Sequence, residues 1–216
     1  GYDILYIACS SKLSGSISTC ETLVIQQLLE EFPERRIYAI DSLNASMGEG
    51  LITIEAAKLK AAGKSLDEIV RWVEENKLCF NFFATVDTLT YLKNAGRIKG
   101  AKAFFGNIMG VKPIFISDAR GNNFVIKKAK GTKNSLEELI NGLKEAYIKE
   151  KGADLYVGHA MAPERAEMVK ERLKAELNIE PKITVIGPIV GTSCGPGLTA
   201  VFCLGKEVTR YEGDGK

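Results

Sequence analysis

The stretch Asp3 to Ser16, D-I-L-Y-I-A-C-S-S-K-L-S-G-S, decides the local fold from which the rest of the chain can be worked out. Its apolar run of β-forming residues ends abruptly in small hydroxyl residues and a glycine. A helical spacing of apolar residues begins immediately afterwards, between Ser16 and Glu31. The stretch therefore predicts a strand, a tight loop and a helix.

The loop in this stretch, Ser10 to Ser16, is a candidate anion site and is called the serine loop below. The first N–H groups of a helix lack intrahelical partners and carry the positive end of the helix dipole. Hydroxyl donors lie beside them on Ser10, Ser11, Ser14 and Ser16. The pattern favours a bound carboxylate or phosphate. The alternative is that Ser14 only caps the helix and the other serines face water.

The same arrangement occurs a second time further along the chain. A short strand over 36–40 ends in Asp41 and Ser42, and a helix through Ala61 follows a run of small residues. Two successive units of this kind predict a parallel α/β sheet, whose strand ends form the edge where ligands of open α/β sheets bind. A capping-box pattern from Ser65 to Glu68 predicts the start of a further helix.

The pattern changes after about residue 78. Strands are predicted over 79–86 and 110–116, and the turn 118–122 predicts an antiparallel hairpin with the segment that follows it. The remaining segments predict helices over 135–147 and 163–177, strands over 154–158, 183–186 and 198–204, and a glycine-rich loop over 187–197. This half is therefore predicted to be α+β rather than βαβ. We predict an α/β protein of two domains, an α/β domain over 1–78 and an α+β domain over 79–216.

Composition excludes several classes of protein. The chain has 29 basic and 27 acidic residues, and no run of cations interleaved with aromatics points to a nucleic acid. No apolar run is long enough for a membrane span, and no signal pattern is present, so we expect a cytoplasmic protein. The five cysteines are scattered without C-x-x-C spacing, which predicts buried, reduced thiols and no metal site. Because Gly1 leads into a strand almost at once, we expect the chain to be a processed or truncated piece.

Several longer motifs together resemble one known family. They are C-S-S-K-L-S-G-S over 9–16, D-S-L-N-A-S-M-G-E-G over 41–50, E-A-A-K-L over 55–59, F-A-T-V-D-T-L-T-Y-L-K-N-A-G-R-I over 83–98, V-K-P-I over 111–114 and G-P-G over 195–197. In this order they resemble the DegV family along nearly the whole chain.

This resemblance implies a bacterial fatty-acid-binding protein with an EDD/DegV-like fold and no enzymatic activity of its own. The carboxylate would be held at the serine loop, and the acyl chain would lie in an apolar tunnel between the two domains. In better understood members a separate ATP-dependent kinase phosphorylates the bound acid. The resemblance thus implies a long-chain fatty acid and a fatty-acid kinase as partners, and no cofactor or metal.

The resemblance also implies particular site residues. Family members bind the carboxylate through a hydroxyl of the serine loop, which leaves Ser11 and Ser14 as alternatives, supported by the N–H groups of Gly15 and Ser16. The segment 101–109 is apolar nearly all round, which indicates a helix buried between layers or against a ligand. Its large side chains would line the tunnel: Phe104, Phe105, Ile108 and Met109.

Three departures from the family pattern bear on this interpretation. Many members have a histidine where this chain has Ser193, and an arginine where it has Gly131. The family segment that precedes Gly1, with another hydroxyl ligand, is absent from the sequence. Ser193 would contact the carboxylate through its own hydroxyl or through a bridging water. Fatty-acid binding remains the best interpretation, whereas coupling to a kinase is weakened.

Several other polar residues could have either a structural or a functional role. Arg97 could hold two backbone carbonyls, or a carboxylate across the domain boundary. Asp87 and Thr88 lie at a strand-to-helix junction, where they would cap the helix or shape the cleft. His159 is expected to be structural. An enzyme or phosphoryl-transfer subunit that uses the same anion site is the alternative function, but the sequence has no nucleotide motif of the Walker type.

Overall fold

Two β-sheets organise the fold, which the computed structural model describes for residues 1–99 and 110–211. The strands are β1 Ile4–Ala8, β2 Ile37–Asp41, β3 Phe80–Thr85, β4 Val111–Ser117, β5 Asn123–Lys130, β6 Tyr156–His159, β7 Lys182–Val185 and β8 Thr199–Leu204. The helices are α1 Ser16–Thr19, α2 Ile25–Glu31, α3 Met47–Ala61, α4 Leu66–Asn76, α5 Thr90–Asn94, α6 Gly131–Ala146, α7 Pro163–Leu177 and α8 Pro188–Cys194. A π-helical segment, Cys20–Val24, joins α1 to α2.

The first sheet consists of β1 and β2, which pair in parallel from Ile4 opposite Ile37 to Ala8 opposite Asp41. The predicted parallel pair is thus confirmed. Because parallel strands end at the same edge, the serine loop lies beside the loop that follows β2. The Ser10 N–H donates to the Asn44 carbonyl over 2.8 Å, which joins the two loops directly.

The second sheet has six strands in the order β5-β4-β3-β8-β6-β7. The hairpin of β4 and β5 is antiparallel, as predicted. One part departs from the prediction, because β6 and β7 pair in parallel and α7 connects them as a βαβ crossover. The α7 helix is long enough to return the chain from the end of β6 to the end of the sheet at which β6 begins. A parallel connection requires this return, because β7 must start there. The sheet is therefore mixed.

Helices cover both faces of the large sheet. Buried residues of α6 and α7, such as Leu143 and Val169, pack on one face. A separate core at the small sheet brings Leu51 and Ile52 of α3 together with Phe80 of β3 and Leu204 of β8. Residues on both sides of position 78 thus share this core, and the predicted division into domains at that position stays a prediction.

The remaining differences from the expected elements are local. The segment 187–197, expected as a glycine-rich loop, contains α8, which begins with Pro188 at its first position, a site that suits proline. Cys194 and Cys203 are buried as expected, whereas the other three cysteines are only half-buried because they lie at element ends or on a solvent-facing helix. Among the residues that the structure describes, no helix has the length and apolar character needed to cross a membrane.

Candidate functional site

Ser10 is a structural member of the serine loop. Its side chain is fully buried, and its hydroxyl donates to the Gly121 carbonyl over 2.7 Å. The same oxygen accepts the Lys12 N–H over 3.2 Å. Ser10 therefore fastens the loop to the hairpin turn between β4 and β5, and its hydroxyl is not one of the donors presented to solvent.

The other serines of the loop lie at its rim. The Ser11 N–H donates to the Asp41 carboxylate, with distances of 3.3 and 3.2 Å to the two oxygens. The Ser14 hydroxyl accepts the Ser16 N–H over 3.3 Å and donates to the Ser16 hydroxyl over 3.2 Å. Ser14 thus makes a local contact at the start of α1, while Ser11 lies beside an anion of the protein itself. Anion binding at Ser11, Ser14, Gly15 and Ser16 stays a prediction.

Arg97 connects the serine loop to the segment after α5. Its Nε donates to the Leu13 carbonyl over 3.1 Å, and its Nη1 donates to the Ala95 carbonyl. The guanidinium thus holds two backbone carbonyls, and a contact between Arg97 and a ligand carboxylate stays a prediction. Arg97 thereby holds the serine loop in place, although it is 84 residues away from Leu13 in the sequence.

Asp87 and Thr88 have separate roles at the end of β3. The Asp87 carboxylate accepts from Arg165, at 2.8 and 3.2 Å, and from the Lys112 amine. Burial opposes its ionisation, but hydrogen bonds from Arg165 and Lys112 outweigh burial and hold the pKa of this carboxyl below its ordinary value. The Thr88 hydroxyl oxygen accepts the Thr90 N–H over 3.2 Å, so Thr88 stabilises the turn that leads into α5.

An apolar cavity lies between α8 and the large sheet. Its volume is about 40 Å³, and it is lined by Ala45, Ser46, Phe82, Ala84, Phe115, Asn123, Ile186, Val190, Cys194, Leu198, Ala200 and Phe202. Ala45 and Ser46 come from the loop after β2, while the others come from the large sheet, from α8 and from the segments that flank α8. The cavity therefore lies where the two sequence halves meet, next to the loop that contacts the serine loop.

Ser46 is a lining residue that the sequence analysis missed. It precedes α3 with φ 56° and ψ −129°, a conformation that costs a residue with a side chain on the order of 1–3 kcal/mol. Asn44 fixes this loop by donating to the Phe80 carbonyl over 2.8 Å. The run of small residues after β2 was the only signal in the sequence, and it did not specify a strained backbone.

Replacing Ser46 by glycine is expected to raise the free energy of unfolding by about 1 kcal/mol, because glycine adopts this conformation without steric cost. The Ser46 side chain makes no capping hydrogen bond to α3 that the change would remove. Thermal unfolding followed by circular dichroism measures the effect. Ser18→Gly, the same change at an exposed position of α1, is the control and should destabilise the protein. A loss of stability in Ser46→Gly as large as in the control would contradict this account of Ser46.

The other predicted site residues are placed as follows. Ser193 lies on α8, where its hydroxyl donates to the Ile189 carbonyl over 3.0 Å, and the cavity is lined by its neighbours Val190 and Cys194 instead. A contact between Ser193 and a carboxylate stays a prediction. The predicted tunnel residues lie outside the described part of the chain: Phe104, Phe105, Ile108 and Met109.

Neither the histidine nor the cavity cysteine is arranged for catalysis. His159 is buried, and its Nδ1 accepts the Ala162 N–H over 3.3 Å at the start of α7, which is a structural contact. Burial raises the pKa of Cys194 to about 12, so its thiol stays protonated at neutral pH and is a poor nucleophile. Within residues 1–99 and 110–211, no group of three or more histidine, cysteine or acidic residues is placed to hold a metal ion.

Comparison with known proteins agrees with the motifs and the fold. The family model described as "Uncharacterised protein, DegV family" matches residues 1–206. The chain belongs to the DegV family. A DegV domain-containing protein of Clostridium perfringens is 36% identical over 206 residues, which cover 95% of this chain and 70% of the relative.

Solved DegV structures have the same fold as this chain. A DegV family protein of Ruminococcus gnavus, solved with vaccenic acid, is 25% identical with a TM-score of 0.83, and the match covers 93% of this chain and 71% of that one. The fatty acid kinase B3 protein of Streptococcus pneumoniae, loaded with linoleic acid, has a TM-score of 0.80 at 20% identity, covering 96% and 72% of the two chains. The mixed α/β fold described above is therefore the DegV fold.

Proposed function

We propose that this DegV protein is a non-catalytic carrier that binds one long-chain fatty acid. The carboxylate lies at the serine loop, where Ser11 or Ser14 donates a hydroxyl hydrogen bond, and the acyl chain lies in the cavity beneath α8. The observation that carries the proposal is an apolar cavity that meets the loop after β2, which in turn contacts the serine loop.

The energetics of this arrangement suit an amphipathic ligand. Each buried methylene contributes about 0.8 kcal/mol, so the acyl chain supplies most of the affinity. The carboxylate stays at exposed hydroxyl and N–H donors and therefore avoids the large cost of burying an unpaired charge. A cavity of about 40 Å³ holds little more than one water molecule, so the ligand must move the walls apart as it enters.

We also propose that the protein presents the bound acid to a fatty-acid kinase. The relative from Streptococcus pneumoniae is named as part of such a kinase, which supports a kinase partner. The carboxylate end, at the exposed rim of the serine loop, is where a second protein can reach it. The resemblance implies an arginine at the position of Gly131 and a histidine at that of Ser193 in many members, so we expect weaker coupling to a kinase in this chain.

Protein purified from a bacterial host is expected to carry a long-chain fatty acid, because burial of many methylenes makes dissociation slow. Native mass spectrometry of the complex, followed by extraction and identification of the lipid, is the measurement. Protein that yields no lipid, and that fails to bind an added fluorescent fatty acid, would overturn the proposed function.

A further inference from the structure

A row of small residues crosses three strands of the large sheet, and two of its members, Ala84 and Ala200, line the cavity. Gly158 of β6 lies opposite Ala200 of β8, and Ala200 lies opposite Ala84 of β3. Directly paired residues share a face of the sheet, and neighbouring strands lie about 4.8 Å apart. The row spans about 10 Å across the strands, and its uncovered part is a shallow trench over Ala200 and Ala84.

Larger side chains form a wall along one side of this trench. Two residues away on the same strands, Tyr156 lies opposite Phe202, and Phe202 lies opposite Phe82. The ring centroids of Phe82 and Phe202 are 5.9 Å apart, so these two rings are neighbours. The Phe202 ring also covers Gly158, where an added Cβ atom would lie 2.9 Å from Phe202 Cε2. The path for a narrow apolar chain therefore runs over Ala84 and Ala200 and ends where larger side chains cover Gly158.

The two ends of the path differ in chemistry. Toward β5 the row continues with Phe115 of β4, opposite Ala84. The polar residues Ser46 and Asn123 also line the cavity, and the Asn123 amide donates to the Arg97 carbonyl over 2.9 Å. Arg97 in turn holds the serine loop through Leu13. The carboxylate end of a bound acid therefore belongs on this side, and its methyl end belongs toward β6.

Ile186 closes the path at the β6 end. A Cβ atom added to Gly158 would lie 2.7 Å from Ile186 Cδ1, so the isoleucine side chain rests directly on the glycine. The Ile186 N–H donates to the His159 carbonyl over 2.9 Å, which holds its backbone against β6. Ile186 is buried, with 6% of its surface exposed, and so has little freedom to swing outward.

A second apolar groove, of about 450 Å³, lies on the other side of Ile186. It is open to solvent, and its lining includes Tyr91, Met161, Val185 and Pro188. Among the residues that the structure describes, Ile186 alone lines both this groove and the cavity. One side chain thus separates an internal apolar path from an apolar surface groove.

We propose that Ile186 is the chain-length stop of the acyl site, against which the terminal methyl group of the bound fatty acid ends. The proposal rests on the proposed fatty-acid function and adds a specificity-determining residue to it. In the wild type, affinity rises about fourfold per methylene until the methyl end reaches Ile186, and then stops rising. Ile186→Ala opens the path into the outer groove, so longer chains continue to gain affinity.

The experiment is a displacement titration of a fluorescent fatty acid with saturated acids of about 12 to about 22 carbons. In Ile186→Ala, we expect the ratio of affinities between an acid two methylenes longer than the wild-type optimum and that optimum to rise about tenfold. Ile140→Ala is the matched control, since Ile140 is equally buried but lies in the core on the opposite face of the sheet. The control should keep the wild-type ranking of chain lengths.

The outcomes separate the two proposals. Wild-type protein that binds no fatty acid overturns the proposed function and this inference together. Wild-type protein that binds fatty acids, with an unchanged ranking in folded Ile186→Ala, overturns only the role of Ile186. If Ile186→Ala does not fold, Ile186→Val decides by the same ranking, with a smaller shift expected toward longer acids.

Discussion

Replacing Ser11 and Ser14 together by alanine is expected to weaken fatty-acid binding by about 10- to 150-fold while the protein stays folded. A hydrogen bond to a charged carboxylate contributes about 1.5–3 kcal/mol, which corresponds to about 10- to 150-fold in affinity, and the double variant removes that bond whichever serine donates it. Folding loses less. Ser11 is exposed, and the Ser14 hydroxyl makes only long contacts to Ser16, so the cost to stability is about 1 kcal/mol.

The single variants decide between the two serines. The Asp41 carboxylate already binds the Ser11 N–H and repels a second anion, so Ser14→Ala is expected to have the larger effect. Affinities come from titration of a fluorescent fatty acid, with circular dichroism as the check on folding. Ser18→Ala, an exposed serine two residues beyond the loop, is the control and should bind as the wild type does. An unchanged affinity in the folded double variant would show that the carboxylate is held elsewhere.

Val190→Trp is expected to weaken fatty-acid binding by about 100-fold, because the indole would occupy the cavity that the acyl chain needs. Val190 lies on α8, lines the cavity and is half-buried. Denying burial to about four methylenes removes on the order of 3 kcal/mol of binding free energy. The accompanying loss of stability should be about 1–3 kcal/mol, which is the usual cost of overpacking.

Ile189→Trp is the matched control for this change. Ile189 precedes Val190 on the same helix, but 83% of its surface is exposed, so a tryptophan there projects into solvent. It should leave affinity for the fluorescent acid within about twofold of wild type. Equal affinities for the two tryptophan variants, both folded, would rule out the cavity beneath α8 as the acyl site.

Local signals in the sequence predicted much of the fold, because they depend on residues close together in the chain. The strand, loop and helix of the opening stretch are present, and β1 pairs with β2 in parallel. The capping box at Ser65 is formed in full, with Glu68 as its partner. The hairpin of β4 and β5 and the start of α7 at Pro163 also follow from turn and helix-start chemistry.

Regions with conflicting local signals were predicted less well. The glycines and the two prolines of 187–197 indicated a loop, yet Pro188 suits the first turn of a helix and α8 forms there. The βαβ crossover of β6 and β7 was missed because the hairpin before it suggested an antiparallel sheet throughout. In both cases packing against the large sheet decided the outcome. Helix and strand propensities of single residues do not include this packing.

The sequence by itself determined the family, the parallel start of the fold and the serine loop, since these reside in contiguous motifs. Only the tertiary structure decided which loop residues are free to bind, because Ser10 is taken up by Gly121, which is 111 residues away. The same holds for the cavity. Its small row depends on the register of three strands, and its closed end depends on Ile186 resting on Gly158. Contacts of this kind arise only when distant segments pack together, so no local pattern encodes them.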